Sequence, residues 1–316
     1  MTMESRLKLR IRAIAQEASG IHSYELVDDG GGTLPPFSAG AHVTLHLPCG
    51  LSRSYSLTNC PAERHRYVIA VNRDTHSRGG SRYLHETARV GQALQADPPR
   101  NLFELVEEAP ASVFIAGGIG ITPIRCMIRR LETLGRSWRL HYCARHPGAA
   151  AYVDELREDP RVQLYFDAGD VPRRLDIAEA LAQLPADAHV YCCGPGGMLR
   201  AFREHAAALA PGRAHAEQFA PDEAPAAAGG YSVRLARTGR TVPVLPGQSI
   251  LQALLEAGEQ PPHACCQGVC GSCETAVLAG RPDHRDQVLS DTEKAAGASM
   301  MICCSGSLDP ELVLDL

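Results

Sequence analysis

Six of the twelve cysteines in this chain lie between Cys265 and Cys304. Taken as Cys265, Cys270 and Cys273 they read C-x4-C-x2-C, and Cys303 follows after a long gap. Thiolates that share two irons must converge from one side, and this is the spacing of a plant-type [2Fe–2S] site. Gly268 and Gly271 stand inside the wrap, where a Cβ would crowd the group or the backbone needs positive φ. The fourth ligand can arrive from a distant segment because only the first three share the loop. A zinc site would favour paired C-x2-C knuckles, and only one such pair exists. A disulfide framework needs an oxidising compartment, whereas the opening MTMESRLKLR lacks the apolar run of a signal peptide. The spacing therefore points to an iron–sulfur loop with Cys265, Cys270, Cys273 and Cys303 as ligands. Cys266 and Cys304 are read as bystanders.

Two glycine turns upstream could hold a phosphate. In AGGIGITP, Gly117, Gly118, Gly120, Thr122 and Pro123 sit where an apolar run meets a helical pattern. Glycines let backbone N–H groups approach a phosphate, and a helix N-terminus favours its charge. The motif is not G-x-G-x-x-G, and a tight strand–helix turn is the plainer alternative. In YCCGP, Cys193, Gly194 and Pro195 end a later strand, at the edge where open α/β sheets bind ligands. Earlier, RSYSL combines Arg53, Tyr55 and Ser56. On a strand the first two share one face, and Ser56 points to the other or bends away.

These residues need elements to position them. The 316 residues suggest two or three domains, and 45% hydrophobic residues suffice for sizeable cores. YELVD, HVTLHL, RSYSLT and YVIAV are short runs separated by turn clusters, which predicts a small antiparallel β-barrel over 1–108. SVFIAGGIG, WRLHYCAR, VQLYF and HVYCC alternate with helical PIRCMIRRLETLG, AAAYVDELRED and DIAEALAQL, which predicts a parallel sheet with helices on both faces over 109–222. Residues 223–230 fall in an Ala/Pro/Gly-rich stretch that reads as a linker. From 231 to 316, YSVRLAR and RTVPVL precede the helix SILQALLEAG, with Ser249 as N-cap, and then the cysteine loop. The fold class is thus multidomain: a β-barrel, an α/β domain and an α+β ferredoxin-like domain. A net charge of −5 argues against nucleic acid as a partner, and no run approaches the length of a membrane span. Reduced cytoplasmic thiols are the simple reading of the remaining cysteines.

The order RSYS, GGS, GGIGITP and CGP resembles the ferredoxin–NADP+ reductase superfamily. With the cysteine segment at the C-terminus, the chain resembles phthalate dioxygenase reductases, the group that includes vanillate demethylase reductase subunits. The resemblance runs over nearly the whole chain, including RYVIAVNRD, PRNLF, PDHRDQVLSDTEK and LVLDL. It implies FMN, NADH and [2Fe–2S] sites on successive domains. Arg53, Tyr55 and Ser56 would line the flavin, with Ser56 near its reactive N5. Arg78, Gly80 and Ser81 would hold the FMN phosphate, a task suited to a cation beside hydroxyl and N–H donors. Gly117, Gly118, Gly120, Thr122, Pro123, Gly194 and Pro195 would face the dinucleotide, with Cys193 near the nicotinamide. Phe219 occupies the place of an aromatic residue close to the flavin. Where the family reads C-x-S-R after the fourth ligand, this chain has Cys303, Cys304, Ser305 and Gly306, which changes the surface offered to a partner.

Asp167, after VQLYF, could bind a ribose hydroxyl or repel a 2′-phosphate, favouring NADH over NADPH. Arg173 and Arg174 nearby could act in the opposite sense. NRDTHSRGGS offers a compact phosphate site, favouring FMN over an adenine dinucleotide. The leading expectation is a monomeric electron-transfer enzyme feeding a separate Rieske-type oxygenase. A freestanding reductase of a diffusible acceptor such as ferric ion or a quinone is the alternative. A redox sensor would need no hydride site.

Overall fold

The computed structural model describes residues 6–74, 79–168, 173–219, 225–226 and 228–316. The chain divides into two compact units, Met1–Glu217 and Gln218–Leu316.

The first unit begins with β1 (Leu7–Ala18), β2 (Ile21–Asp28), β3 (His42–His46), β4 (Ser52–Ser56), β5 (Tyr67–Asn72) and β6 (Ala93–Ala96). They form one antiparallel sheet in the order β4-β3-β6-β1-β2-β5. The sheet curls on itself until Leu57 bridges Ile69, and the Thr58 N–H donates to the Val68 carbonyl at 2.8 Å. Closure hides the two edges that an open sheet would leave. Leu9, Ile11, Leu26, Leu45, Leu57 and Ile69 fill the interior. α1 (Gly80–Glu86) lies in the connection between β5 and β6. β1 was legible but is absent from the sequence reading: Leu7, Leu9 and Ile11 alternate with Lys8, Arg10 and Arg12 along LKLRIR, the mark of a half-buried strand.

The same unit continues with β7 (Ala111–Gly117), α2 (Ile121–Thr133), β8 (Ser137–Ala144), α3 (Val153–Leu156), β9 (Val162–Phe166), α4 (Ile177–Ala182), β10 (His189–Cys193), α5 (Gly196–Ala206) and β11 (Ala214–Glu217). All five strands are parallel, in the order β11-β10-β7-β8-β9. The winding reverses between β7 and β10, so the C-terminal ends of those two strands form the switch point of the sheet. The core beneath α2 includes Phe114, Ile124, Met127, Leu140 and Tyr191, and the other face carries Ile115, Val190, Leu199 and Phe202. AAAYVDELRED forms much less helix than its propensity suggests. Tyr152 takes φ 60°, and only the four residues of α3 follow it.

The second unit has a sheet β13-β12-β18-β14-β16, built from β12 (Tyr231–Leu235), β13 (Thr241–Val244), β14 (Glu274–Ala279), β16 (Ser299–Met301) and β18 (Glu311–Leu314). The short pair β15 (Pro282–Asp283) and β17 (Gly306–Ser307) stands apart. α6 (Ile250–Glu256) starts at Ser249, whose side chain accepts from the Gln252 N–H at 3.1 Å as the sequence predicts. α7 (Asp291–Ala296) is opened by a capping box between Ser290 and Glu293.

Candidate functional site

On β4 the sequence motif lies beside β3, with Tyr55 opposite Val43 and Arg53 opposite Leu45. That pairing turns Arg53 and Tyr55 toward the barrel side and Ser56 toward the other face, opposite His42. Burial pushes the Tyr55 phenol well above its usual range, although the Arg53 charge pulls the other way. A Cβ on Gly80 would stand 2.6 Å from Arg53 Cγ, so glycine at the start of α1 is what lets the arginine lie across it. Ser81 is next along, its Oγ accepting from the Asp74 N–H at 3.3 Å. The cation, the small residue and the hydroxyl are thereby drawn together from β4 and α1, an arrangement that fits a phosphate monoester. Arg78 lies outside the described residues.

At the switch point the two glycine turns interlock. A Cβ on Gly120 would collide with the Cys193 carbonyl and stand 3.0 Å from the Gly194 nitrogen, and one on Gly117 would stand 2.6 Å from Pro195 Cδ. These two glycines are therefore required by the packing of one turn on the other as well as by any ligand. Gly118 takes φ +55° with open space where a side chain would be. Thr122 is buried, and its hydroxyl donates to the Ile119 carbonyl at 2.9 Å, closing the turn. Pro123 is buried in the first turn of α2.

Cys193 is 1% exposed, and burial first, then the neighbouring Glu217 charge, pushes its thiol far up, so it is neutral at physiological pH. Glu217 pairs with Cys193 across β10 and β11. Its Oε2 is shut from solvent with no hydrogen-bond donor, and burial raises the carboxyl to about 8. A protonated carboxyl is a potential hydrogen-bond donor, and this one ends β11 at the C-terminal edge of the sheet, where ligands of such sheets lie. Sequence reasoning missed it. The only hint was an acid closing the short strand AHAE, two residues before Phe219.

Asp167 follows β9 and is exposed, with Oδ1 3.8 Å from Arg174 Nε. The Arg173 guanidinium lies 4.8 Å from the centre of the Tyr165 ring instead. Phe219 belongs to the second unit and is 38% exposed.

In the second unit Cys265, Cys270, Cys273 and Cys303 are all buried. Cys265 hydrogen-bonds Cys270, and Cys303 hydrogen-bonds both Cys273 and the neighbouring Cys304. The Cys265 S–H draws the Cys270 thiol down, and the Cys273 and Cys304 S–H groups together draw the Cys303 thiol down. Among the described residues no three His, Cys, Asp or Glu side chains close on a point as around a single ion. Four buried thiols, three from one loop and one from a distant segment, match the donor set of a [2Fe–2S] group, so the residues fit it. Gly268 holds φ +70° where a Cβ would run into Cys304 Sγ and stand 3.1 Å from Asp286 Cα. Gly271 is also at positive φ, 71°. Cys266 is exposed, while Cys304 is buried with Sγ 3.7 Å from the Met301 carbonyl. The structure also buries Asp286 among these loops. Its Oδ2 accepts from the Val288 and Leu289 N–H groups at 3.1 and 2.8 Å, and Gln287 N–H donates to the Gly268 carbonyl at 2.9 Å.

Residues 233–306 match the family model of the 2Fe-2S iron-sulfur cluster binding domain. The chain is 55% identical over 311 residues to the phenoxybenzoate dioxygenase subunit beta of Ectopseudomonas oleovorans, covering 98% of this chain and 97% of that one. It is 49% identical over 319 residues to the tetrachlorobenzoquinone reductase of Sphingobium chlorophenolicum, covering 99% and 98%. Among solved structures it is similar to phthalate dioxygenase reductase, described as a modular structure for electron transfer from pyridine nucleotides to [2Fe-2S]. That likeness has a TM-score of 0.77 at 40% identity and covers 99% of this chain and 98% of that one.

Proposed function

The chain belongs to the phthalate dioxygenase reductase family, and on that footing we propose that it carries electrons from NADH through FMN and a [2Fe–2S] cluster to a separate Rieske-type oxygenase, as a cytoplasmic monomer. The observation that carries this reading is the likeness over the full length of a reductase that joins pyridine nucleotides to [2Fe–2S]. The four buried thiols at this spacing support it independently. Bound flavin accepts two electrons together as a hydride and gives them up singly, as a one-electron cluster requires.

This chain's residues do the positioning. Arg53, Gly80 and Ser81, with Arg78, hold the FMN phosphate, and Tyr55 and Ser56 line the ring. The turns at Gly117–Pro123 and Cys193–Pro195 seat the dinucleotide, with backbone N–H groups toward its phosphates. Cys193 offers a neutral, polarisable wall to the nicotinamide, and protonated Glu217 donates a hydrogen bond beside it. Asp167 accepts from a ribose hydroxyl, which favours NADH. Cys265, Cys270, Cys273 and Cys303 would hold the cluster, which would supply one-electron transfer. Phe219 takes the position where relatives carry an aromatic residue, and the chain is organised as 1–108, 109–222, a linker at 223–230, and 231–316.

The test is reconstitution. The purified protein with a candidate oxygenase should support NADH-dependent hydroxylation, with cluster reduction following flavin bleaching. A protein that reduces no oxygenase but turns over a quinone would favour the second reading, a freestanding reductase, which its likeness to the tetrachlorobenzoquinone reductase supports.

A further inference from the structure

Arg125 stands three residues after Thr122 on α2, and its side chain is 13% exposed. Its guanidinium is fully engaged. Nε and Nη2 donate to the two carboxylate oxygens of Glu155 at 2.7 and 2.9 Å, and Nη1 donates to the Thr58 carbonyl at 3.0 Å. Its centre lies 4.2 Å over the Tyr152 ring. Glu155 takes a second arginine as well, Arg129, at 3.1 Å. Thr58 is two residues beyond Ser56 and fully buried, its N–H already committed to Val68. One planar side chain thus spans from the helix that begins at the nucleotide turn to the end of the flavin strand. The bidentate fork on Glu155 fixes its orientation.

The unusual backbone nearby fits this arrangement. Tyr152 adopts φ 60°, costly for a bulky residue, and is buried beneath the arginine. The short α3 places Glu155 on the far side of the same guanidinium. Two segments distant in sequence, at Thr58 and at Tyr152–Glu155, converge on this one side chain of α2.

We propose that Arg125 is a positioning residue for hydride transfer, setting the separation between the nucleotide turn and the strand end that carries Ser56. This rests on the function proposed above, in which a hydride leaves NADH, giving NAD+, and reduces the flavin. Such a transfer needs its two atoms about 3–3.5 Å apart, and a displacement near 1 Å costs on the order of 100-fold in rate. A strut anchored two residues from Ser56 and three from Thr122 acts on that distance directly.

The experiment uses the full-length flavoprotein with Arg125→Met, Arg125→Lys and Glu155→Gln. Flavin bleaching by saturating NADH is followed by stopped flow, alongside the long-wavelength absorbance of the nicotinamide–flavin complex and the melting temperature. Arg125→Met should slow bleaching about 10- to 100-fold and weaken the long-wavelength band, while the NADH half-saturation and flavin content stay near wild type. Arg125→Lys, able to reach one partner at a time, should fall between. Should Arg125→Met not fold, Glu155→Gln loosens the same fork and should shift rate and band in the same direction. A folded variant that melts lower but keeps the wild-type bleaching rate and band assigns Arg125 to stability alone and overturns the proposal. Failure of the wild-type flavin to bleach with NADH would instead overturn the function on which it rests.

Discussion

At the scale of single residues, burial decides chemistry that residue type leaves open. Glu217 keeps its proton to about pH 8 in the folded protein, whereas the unfolded chain releases it near 4.5. The folded state therefore binds the extra proton between these values, and stability falls as pH rises through that window. Glu217→Gln removes the titration. Its melting temperature should match wild type near pH 4.5 and exceed it progressively up to pH 8; parallel curves would show that the carboxyl is not held protonated. The cysteines give a second case. Cys303 shares hydrogen bonds with both Cys273 and Cys304, and Cys304 also lies against the Met301 carbonyl, so the spacing rather than proximity singles out Cys303 as the ligand. Cys273→Ser and Cys303→Ser should lose the visible iron–sulfur absorbance, and Cys304→Ser and Cys266→Ser should keep it. Loss in Cys304→Ser with retention in Cys303→Ser would move the fourth ligand by one residue.

At the scale of elements, the switch point is assembled by two βα turns that touch through their glycines. Gly120 is the residue before α2, and a methyl there meets the backbone at Cys193. Backbone cannot yield as a flexible side chain can, so Gly120→Ala must separate the turns. NADH half-saturation should rise at least tenfold, on the order of 1.4 kcal/mol, with FMN retained because its proposed phosphate site lies on β4 and α1. Unchanged NADH affinity would mean that the dinucleotide does not lie across these turns.

At the scale of the whole molecule, charge is unevenly shared. Residues 218–316 carry twelve Asp and Glu against six Lys and Arg, and the rest of the chain is nearly balanced. An acidic iron–sulfur unit should be drawn to a basic face on the oxygenase. Screening shrinks the range of that attraction from about 10 Å at 0.1 M salt to about 3 Å at 1 M. Electron delivery to the oxygenase should therefore slow markedly as salt is raised, while flavin bleaching at saturating NADH changes little. Equal sensitivity of both steps would show that partner docking is not steered by charge.

What the sequence determined by itself is local. C-x4-C-x2-C, the glycine turns and the Ser249 cap are legible because neighbours along the chain meet whatever the tertiary fold does. Alternating strands and helices likewise announced a parallel sheet, since its crossovers leave little choice. Family likeness supplied the cofactors, which no spacing could have named. The remainder depended on residues far apart in sequence. Glu217 keeps its proton because burial disfavours its charge, at a position beside β10 that only the parallel pairing of β10 and β11 fixes. Cys273 meets Cys303 because the pairing of β14 with β16 brings the ends of those strands together. AAAYVDELRED has the composition of a longer helix, yet Tyr152 is turned out of helical geometry beneath Arg125. Packing against a distant arginine overrode local propensity there, since one well-placed charged and aromatic contact outweighs the few tenths of a kcal/mol (roughly) that separate ordinary residues in helix preference.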